Sequence, residues 1–224
     1  MKVHSLAAVL AGSCLAVPAG AQTAAPPGRF EASAGLAWSG GVGFGSSAAN
    51  ENASGGGPYQ LFTTSSRLSA TVGVQARVGI ALSRIWQVDA EGSWLRPDLR
   101  TSVSGDVENA AAVTATERIT QFTLGGAMVA RLTRWRLWRH GTPFVSAGVA
   151  YLRELHEGQT LVETGRIYSA GGGATFLWRA RPTATLKALG VRADVRAVVR
   201  SRGVALDNRS HVAPSAAVSF VARF

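Results

Sequence analysis

The strongest signal in this chain is strict alternation of apolar and polar residues, with a period of two and in eight runs. The first run, Arg29 to Ser39, sets Phe30, Ala32, Ala34, Leu36 and Trp38 against Glu31, Ser33, Gly35 and Ala37. The second, Arg67 to Leu82, carries Val72, Val74, Val78 and Ile80 on one parity and Arg67, Gln75 and Arg77 on the other. The third sets Trp86, Val88, Ala90, Gly92 and Trp94 against Gln87, Asp89, Glu91 and Ser93. The fourth runs from Gln121 to Leu132, the fifth from Val145 to Tyr151, and a weaker sixth from Tyr168 to Trp178. The seventh sets Leu189, Val191, Ala193, Val195, Ala197 and Val199 against Arg192, Asp194, Arg196 and Arg200. The eighth is the tail, "APSAAVSFVARF", with Ala216, Val218, Phe220, Ala222 and Phe224 in phase. Period two places successive side chains on opposite faces of a strand.

Eight strands of roughly ten residues are long enough to cross a bilayer when tilted. The connections alternate in length. Long polar stretches ("GSSAANENASGGGPYQ", "RPDLRTSVSGDVENAAAVTATER", "RELHEGQTLVETG", "SRGVALDNRS") follow the odd runs, and shorter ones follow the even runs. Short turns on one side and long loops on the other are the pattern of an outer-membrane barrel. The expected fold is therefore all-β: an eight-stranded antiparallel up-and-down transmembrane β-barrel over residues 29–224, with both ends on the periplasmic side.

Aromatic spacing sharpens this expectation. Phe30 and Trp38, and likewise Trp86 and Trp94, share a face eight positions apart. Eight tilted residues climb ~20 Å, close to the ~25 Å apolar band between aromatic girdles. Tyr151 and Tyr168 fall near the outer girdle, and Trp178, Phe220 and Phe224 near the inner one. A general preference of aromatics for strands does not place them at strand ends on the apolar parity.

With that face in view, the tail resembles the closing strand of bacterial outer-membrane barrels, a family that commonly ends in an aromatic residue. The resemblance covers roughly residues 29–224 and is to the small OmpA-like and OmpW-like barrel domains. It implies residence in a Gram-negative cell envelope among porin-like proteins. Its expected partners are outer-membrane lipids and the barrel-assembly machinery, reached through the strand ending at Phe224.

The first residues fit export. Met1-Lys2 precedes an apolar run from Leu6 to Val17 and an Ala19-Gly20-Ala21 site, which reads as a signal peptide cleaved after Ala21. Residues 22–28 are then a short periplasmic segment. The only cysteine, Cys14, falls inside that signal, so disulfides are not expected to staple the exported chain.

The formal charge of +10 is almost all arginine. No Lys/Arg cluster with interleaved aromatics appears, so nucleic acid is not an expected partner. Much of the charge sits in the short turns, where Arg84, Arg134 and Arg136 accompany Trp135 and Trp138, a mixture suited to the headgroup layer. The polar parity carries the rest: Arg67, Arg77, Arg131, Arg192, Arg196, Arg200 and Arg223, with Glu31, Asp89, Glu91 and Asp194. An eight-stranded interior is just filled by side chains, and charges buried there must pair. The expected lumen cluster is Glu31, Arg77, Asp89, Glu91, Arg192, Asp194 and Arg196. A tight turn centred on Ser83-Arg84 sets Arg77 opposite Ala90, between Asp89 and Glu91, with Asp194 in a second cluster.

The functional expectation is a closed barrel in a structural or surface-interaction role. The alternatives are a narrow pore for small solutes, anions among them, and a lipid-modifying enzyme. Catalysis has thin support. Ser210 and His211 are adjacent and point to opposite faces, and His156-Glu157 lacks a second histidine at metal spacing. No cofactor, catalytic or metal site is expected, although Asp98, Asp106, Glu108 and Asp207 are acidic loop positions. Small residues in runs four to six (Gly126, Ala147, Ala170, Gly172, Ala174) suggest a shallow outer groove for a lipid chain or second barrel. A soluble barrel with apolar residues inside and charges outside stays open on composition alone.

Overall fold

The computed structural model describes residues 29–52, 58–105, 111–135, 137, 141–157, 161–179, 186–202 and 209–224. The expected signal peptide (1–21), the segment 22–28, and Arg136, Trp138, Asp106, Glu108 and Asp207 lie outside the described residues.

Twelve strands are described in order: β1 (Phe30–Ser39), β2 (Val42–Asn52), β3 (Pro58–Leu68), β4 (Thr71–Ala81), β5 (Trp86–Leu95) and β6 (Asp98–Ser104). They continue as β7 (Val113–Arg118), β8 (Thr120–Arg131), β9 (Gly141–Leu155), β10 (Val162–Arg179), β11 (Ala188–Arg202) and β12 (His211–Arg223). Eight of them close a barrel in the order β1-β12-β11-β10-β9-β8-β5-β4, every pair antiparallel. Each barrel strand pairs with its neighbours in the chain's passage around the wall. The fold is therefore an up-and-down barrel, and β1 meets β12 from Glu31 opposite Arg223 to Ser39 opposite Ser215.

The remaining four form a separate sheet, β2-β3-β6-β7. This corrects the expectation of loops at "GSSAANENASGGGPYQ" and "RPDLRTSVSGDVENAAAVTATER". Both excursions leave the barrel as hairpins that pair with each other, Leu68 opposite Leu99 at their base. Sequence alternation missed them because their side chains are largely exposed on both faces; β7 is almost wholly so. Their pairing rests on main-chain hydrogen bonds, which leave no period-two hydropathy. At Gly43–Ser46 the β2/β3 register slips, and Gly45 there holds φ +80°, a conformation that side chains resist.

Where the hairpins leave the barrel, Val42, Phe44, Leu68, Leu99, Ile119 and Ala213 form a small apolar core. Chain bends make this junction possible. Gly40 N–H donates to the Pro214 carbonyl (2.8 Å) and Ile119 N–H to the Pro97 carbonyl (2.9 Å). The second expected run breaks at Ser69-Ala70. Leu68 turns inward to the junction core, and Arg67 lies exposed on β3, opposite Arg100. Arg67 is therefore not a lumen residue.

The barrel wall separates its two faces. Leu36, Val78, Leu124, Val195, Val218 and Phe220 are 56–78% exposed on the outside. Arg77, Asp89, Arg192 and Asp194 are at most 4% exposed on the inside. That is the reverse of a water-soluble barrel.

Candidate functional site: the ionic lumen

Room for large charges comes from small residues on the neighbouring strands. In antiparallel pairing, directly opposed residues share a face. Asp194 of β11 faces Gly173 of β10, and Arg196 faces Gly171. Glu91 of β5 faces Gly125 of β8, and Asp89 faces Gly79 of β4. A Cβ at Gly79 would fall 2.4 Å from both Asp89 Oδ1 and Gln87 Nε2, so those side chains lie across the glycine.

The β4–β5 register differs from the expected one by a single position: Arg77 stands opposite Glu91, and Val78 opposite Ala90. The turn is centred on Arg84, where the Ser83 hydroxyl accepts hydrogen bonds from the Ile85 and Trp86 amides (3.2 and 3.0 Å). The pleat also requires this register, because a lumen-facing arginine cannot stand opposite an outward-facing alanine.

Of the expected Arg77–Asp89–Glu91 bridge the Glu91 arm is present, and Asp194 takes the place of Asp89. Arg77 Nε lies 3.3 Å from Glu91, and its two terminal nitrogens donate to both oxygens of Asp194 (2.8 and 3.1 Å). Asp89 accepts from Arg192 (2.9 Å) and from Gln87 Nε2 (2.5 Å). The two expected clusters are one. Arg196 donates to Asp194 (2.9 Å) and to both oxygens of Glu91 (2.8 and 2.9 Å). Arg192 lies 3.8 Å from Asp194 and 3.6 Å from Glu31, with its guanidinium 4.3 Å from the centre of the Phe144 ring.

At the barrel end bearing the β4–β5 turn, Glu31 accepts from Arg223 (2.6 Å) and Arg131 (3.3 Å), and Arg131 also donates to the Gln87 side chain. Toward the junction with the four-stranded sheet, Arg200 and Gln121 both donate to Glu154 at 2.5 Å. Arg200 also stacks 5.5 Å from the Phe44 ring, which meets His211 edge-on.

Glu154, 0% exposed, is the site residue that sequence reasoning missed. Its signal was present. It continues the lumen parity of Ser146, Gly148, Ala150 and Leu152 once β9 is run to Leu155 rather than ended at Tyr151. Among the described residues the lumen network thus holds Arg77, Arg131, Arg192, Arg196, Arg200 and Arg223 against Glu31, Asp89, Glu91, Glu154 and Asp194.

The nine girdle candidates, Phe30, Trp38, Trp86, Trp94, Tyr151, Tyr168, Trp178, Phe220 and Phe224, all lie exposed on the outer face. Trp94 is paired with Phe122 on β8 and carries the Arg96 guanidinium over its ring at 4.5 Å. Of the small outward residues, Ala147 and Ala170 are directly paired across β9 and β10. His156 directly follows β9 with its Nδ1 3.0 Å from the Glu117 carboxylate, and Asp98 pairs with Arg118 at 3.5 Å.

No family model and no curated protein matches the sequence. Among solved structures the chain is similar to Ail, the attachment invasion locus protein of Yersinia pestis, at 12% identity and a TM-score of 0.39, over 89% of this chain and 100% of that one. It is also similar to the β domain of the Bordetella autotransporter BrkA, at 12% identity and a TM-score of 0.33, over 88% of this chain and 100% of that one.

Proposed function

We propose that the protein is an integral barrel of a bacterial outer membrane, with its lumen closed by salt bridges. Its role is non-catalytic: it reinforces the membrane and holds the four-stranded sheet beyond it as an interaction surface. The observation that carries this reading is the division between an apolar outer wall and a buried ionic interior. An exposed belt of Leu36, Val78, Leu124, Val195 and Val218 is costly in water and favourable in hydrocarbon. Exposed Phe220 on β12 and Phe224 just beyond it are the proposed contact for the assembly machinery. The exported chain, cleaved after Ala21, is proposed to reach the membrane through the periplasm.

Charge pairing in the lumen supports the plug. Opening the lumen would separate Arg77 from Asp194 and Arg192 from Asp89, leaving buried charges unpaired at several kcal/mol each. Reconstitution into planar bilayers tests this: the closed-barrel reading expects no conductance steps. Discrete steps would favour the narrow-pore alternative, which draws its support from a cavity of about 100 Å³ in the upper lumen.

A further inference from the structure

That cavity lies on the junction side of the Arg77–Asp194 pair, and its lining includes Gln75, Glu91, Ser93, Gln121, Arg196 and Arg200. Three nitrogens of these residues are buried without a hydrogen-bond partner in the protein: Gln75 Nε2, Arg196 Nη2 and Arg200 Nε. The side chains of Arg196 and Arg200 are each 8% exposed. Elsewhere in the lumen the same bias recurs: among the described residues the unmet groups are N–H donors and hydroxyls, such as Arg192 Nη2 and Ser219 Oγ, and none is a carboxylate oxygen. Glu91 does not answer this demand, because both its oxygens are already held by Arg196 and one also faces Arg77.

Around the cavity Arg77, Arg196 and Arg200 stand against Asp194, Glu91 and Glu154, so the demand left open there is for hydrogen-bond acceptors. A buried donor without an acceptor is disfavoured. The space suits a small guest, since a water occupies about 30 Å³ of liquid volume. We propose that this cavity is a binding site for one small monovalent anion of halide size, which accepts from the free donors of Arg196 and Arg200. The site neither requires nor excludes conduction, since a bound ion is compatible with a sealed lumen.

The test is refolding of the full chain into detergent micelles at fixed ionic strength, in chloride or in bulky gluconate, followed by crystallisation from bromide. The expected results are a saturable upward shift of the unfolding midpoint in chloride and a single anomalous bromine peak in the cavity beside Arg196 and Arg200. A Gln75→Glu variant places a fixed carboxylate in the cavity, and its chloride-dependent shift is expected to be lost. Equal midpoints in the two salts, or a cavity holding only water in bromide crystals, would overturn the proposal. The wild-type crystal measurement decides the matter even if the variant does not refold.

Discussion

Arg77 and Asp194 stand 117 positions apart in the chain and meet in the barrel lumen through two parallel hydrogen bonds of 2.8 and 3.1 Å. The forked geometry matches a planar guanidinium to a carboxylate. It ties β4 to β11 across the lumen, and Arg196 and Glu91 complete a ring around it.

Breaking that pair on one side is expected to destabilise the barrel strongly. Arg77→Met leaves Asp194 with only Arg196 and the more distant Arg192, at a cost of about 3–5 kcal/mol. The double variant Arg77→Met/Asp194→Leu is expected to recover part of the loss, because it removes both desolvated charges. Urea unfolding in lipid vesicles, read by gel mobility of unheated samples, gives both values and their coupling.

Gly79→Val tests the room beneath Asp89. A side chain there meets Asp89 and Gln87 within 2.4 Å, and both are held by further hydrogen bonds to Arg192 and Glu31. Overpacking of this kind costs about 1–3 kcal/mol. The same unfolding assay is expected to show a lowered midpoint, with Gly43→Val, where a Cβ meets nothing within 4 Å, as the neutral comparison.

On the outer wall, Val78→Arg is expected to cost about 2–4 kcal/mol, since Val78 stands opposite Ala90, midway between the girdle residues Trp86 and Trp94. Val113→Arg, on the exposed β7 of the four-stranded sheet, is expected to change stability little. A comparison of folded yield in vesicles separates the two surfaces.

Glu163 near the start of β10 lies five residues beyond Tyr168, outside the membrane belt. Burial raises its carboxyl pKa; His156, 3.9 Å away, pulls it down, and Glu154 directly across the ladder adds to the rise. An acid whose folded pKa is raised binds its proton more tightly when folded. Its contribution is therefore most favourable below the ordinary carboxylate pKa and declines as pH rises through the raised value. Hydrogen exchange of the His156 amide, bonded to the Leu161 carbonyl at 3.2 Å, is expected to show more local opening as pH climbs through that window. Glu163→Gln is expected to flatten the dependence, while His156 and Glu117 keep their contact.

The barrel wall was legible because each wall residue answers to one of two very different surroundings. Phe220 and Arg192 had little choice of face, so alternation alone assigned them. The lumen partners were less legible, because pairing depends on register and register on turn geometry. One added residue at Arg84 moved Arg77 from Ala90 to Glu91, and closure of the barrel brought Asp194 to it from the opposite wall. Arg67 looked like part of the second run until the bend at Ser69-Ala70 broke the phase. The β2-β3-β6-β7 sheet left no alternation to read, because most of its side chains are exposed on both faces.

Spin labels on single cysteines at positions 78, 124, 195 and 218, in protein reconstituted into bilayers, test the orientation of the wall most directly. The account predicts that all four are relaxed far more by oxygen, which concentrates in hydrocarbon, than by a water-soluble nickel complex. Dominant relaxation by nickel at these positions would place the apolar face in water and contradict the account.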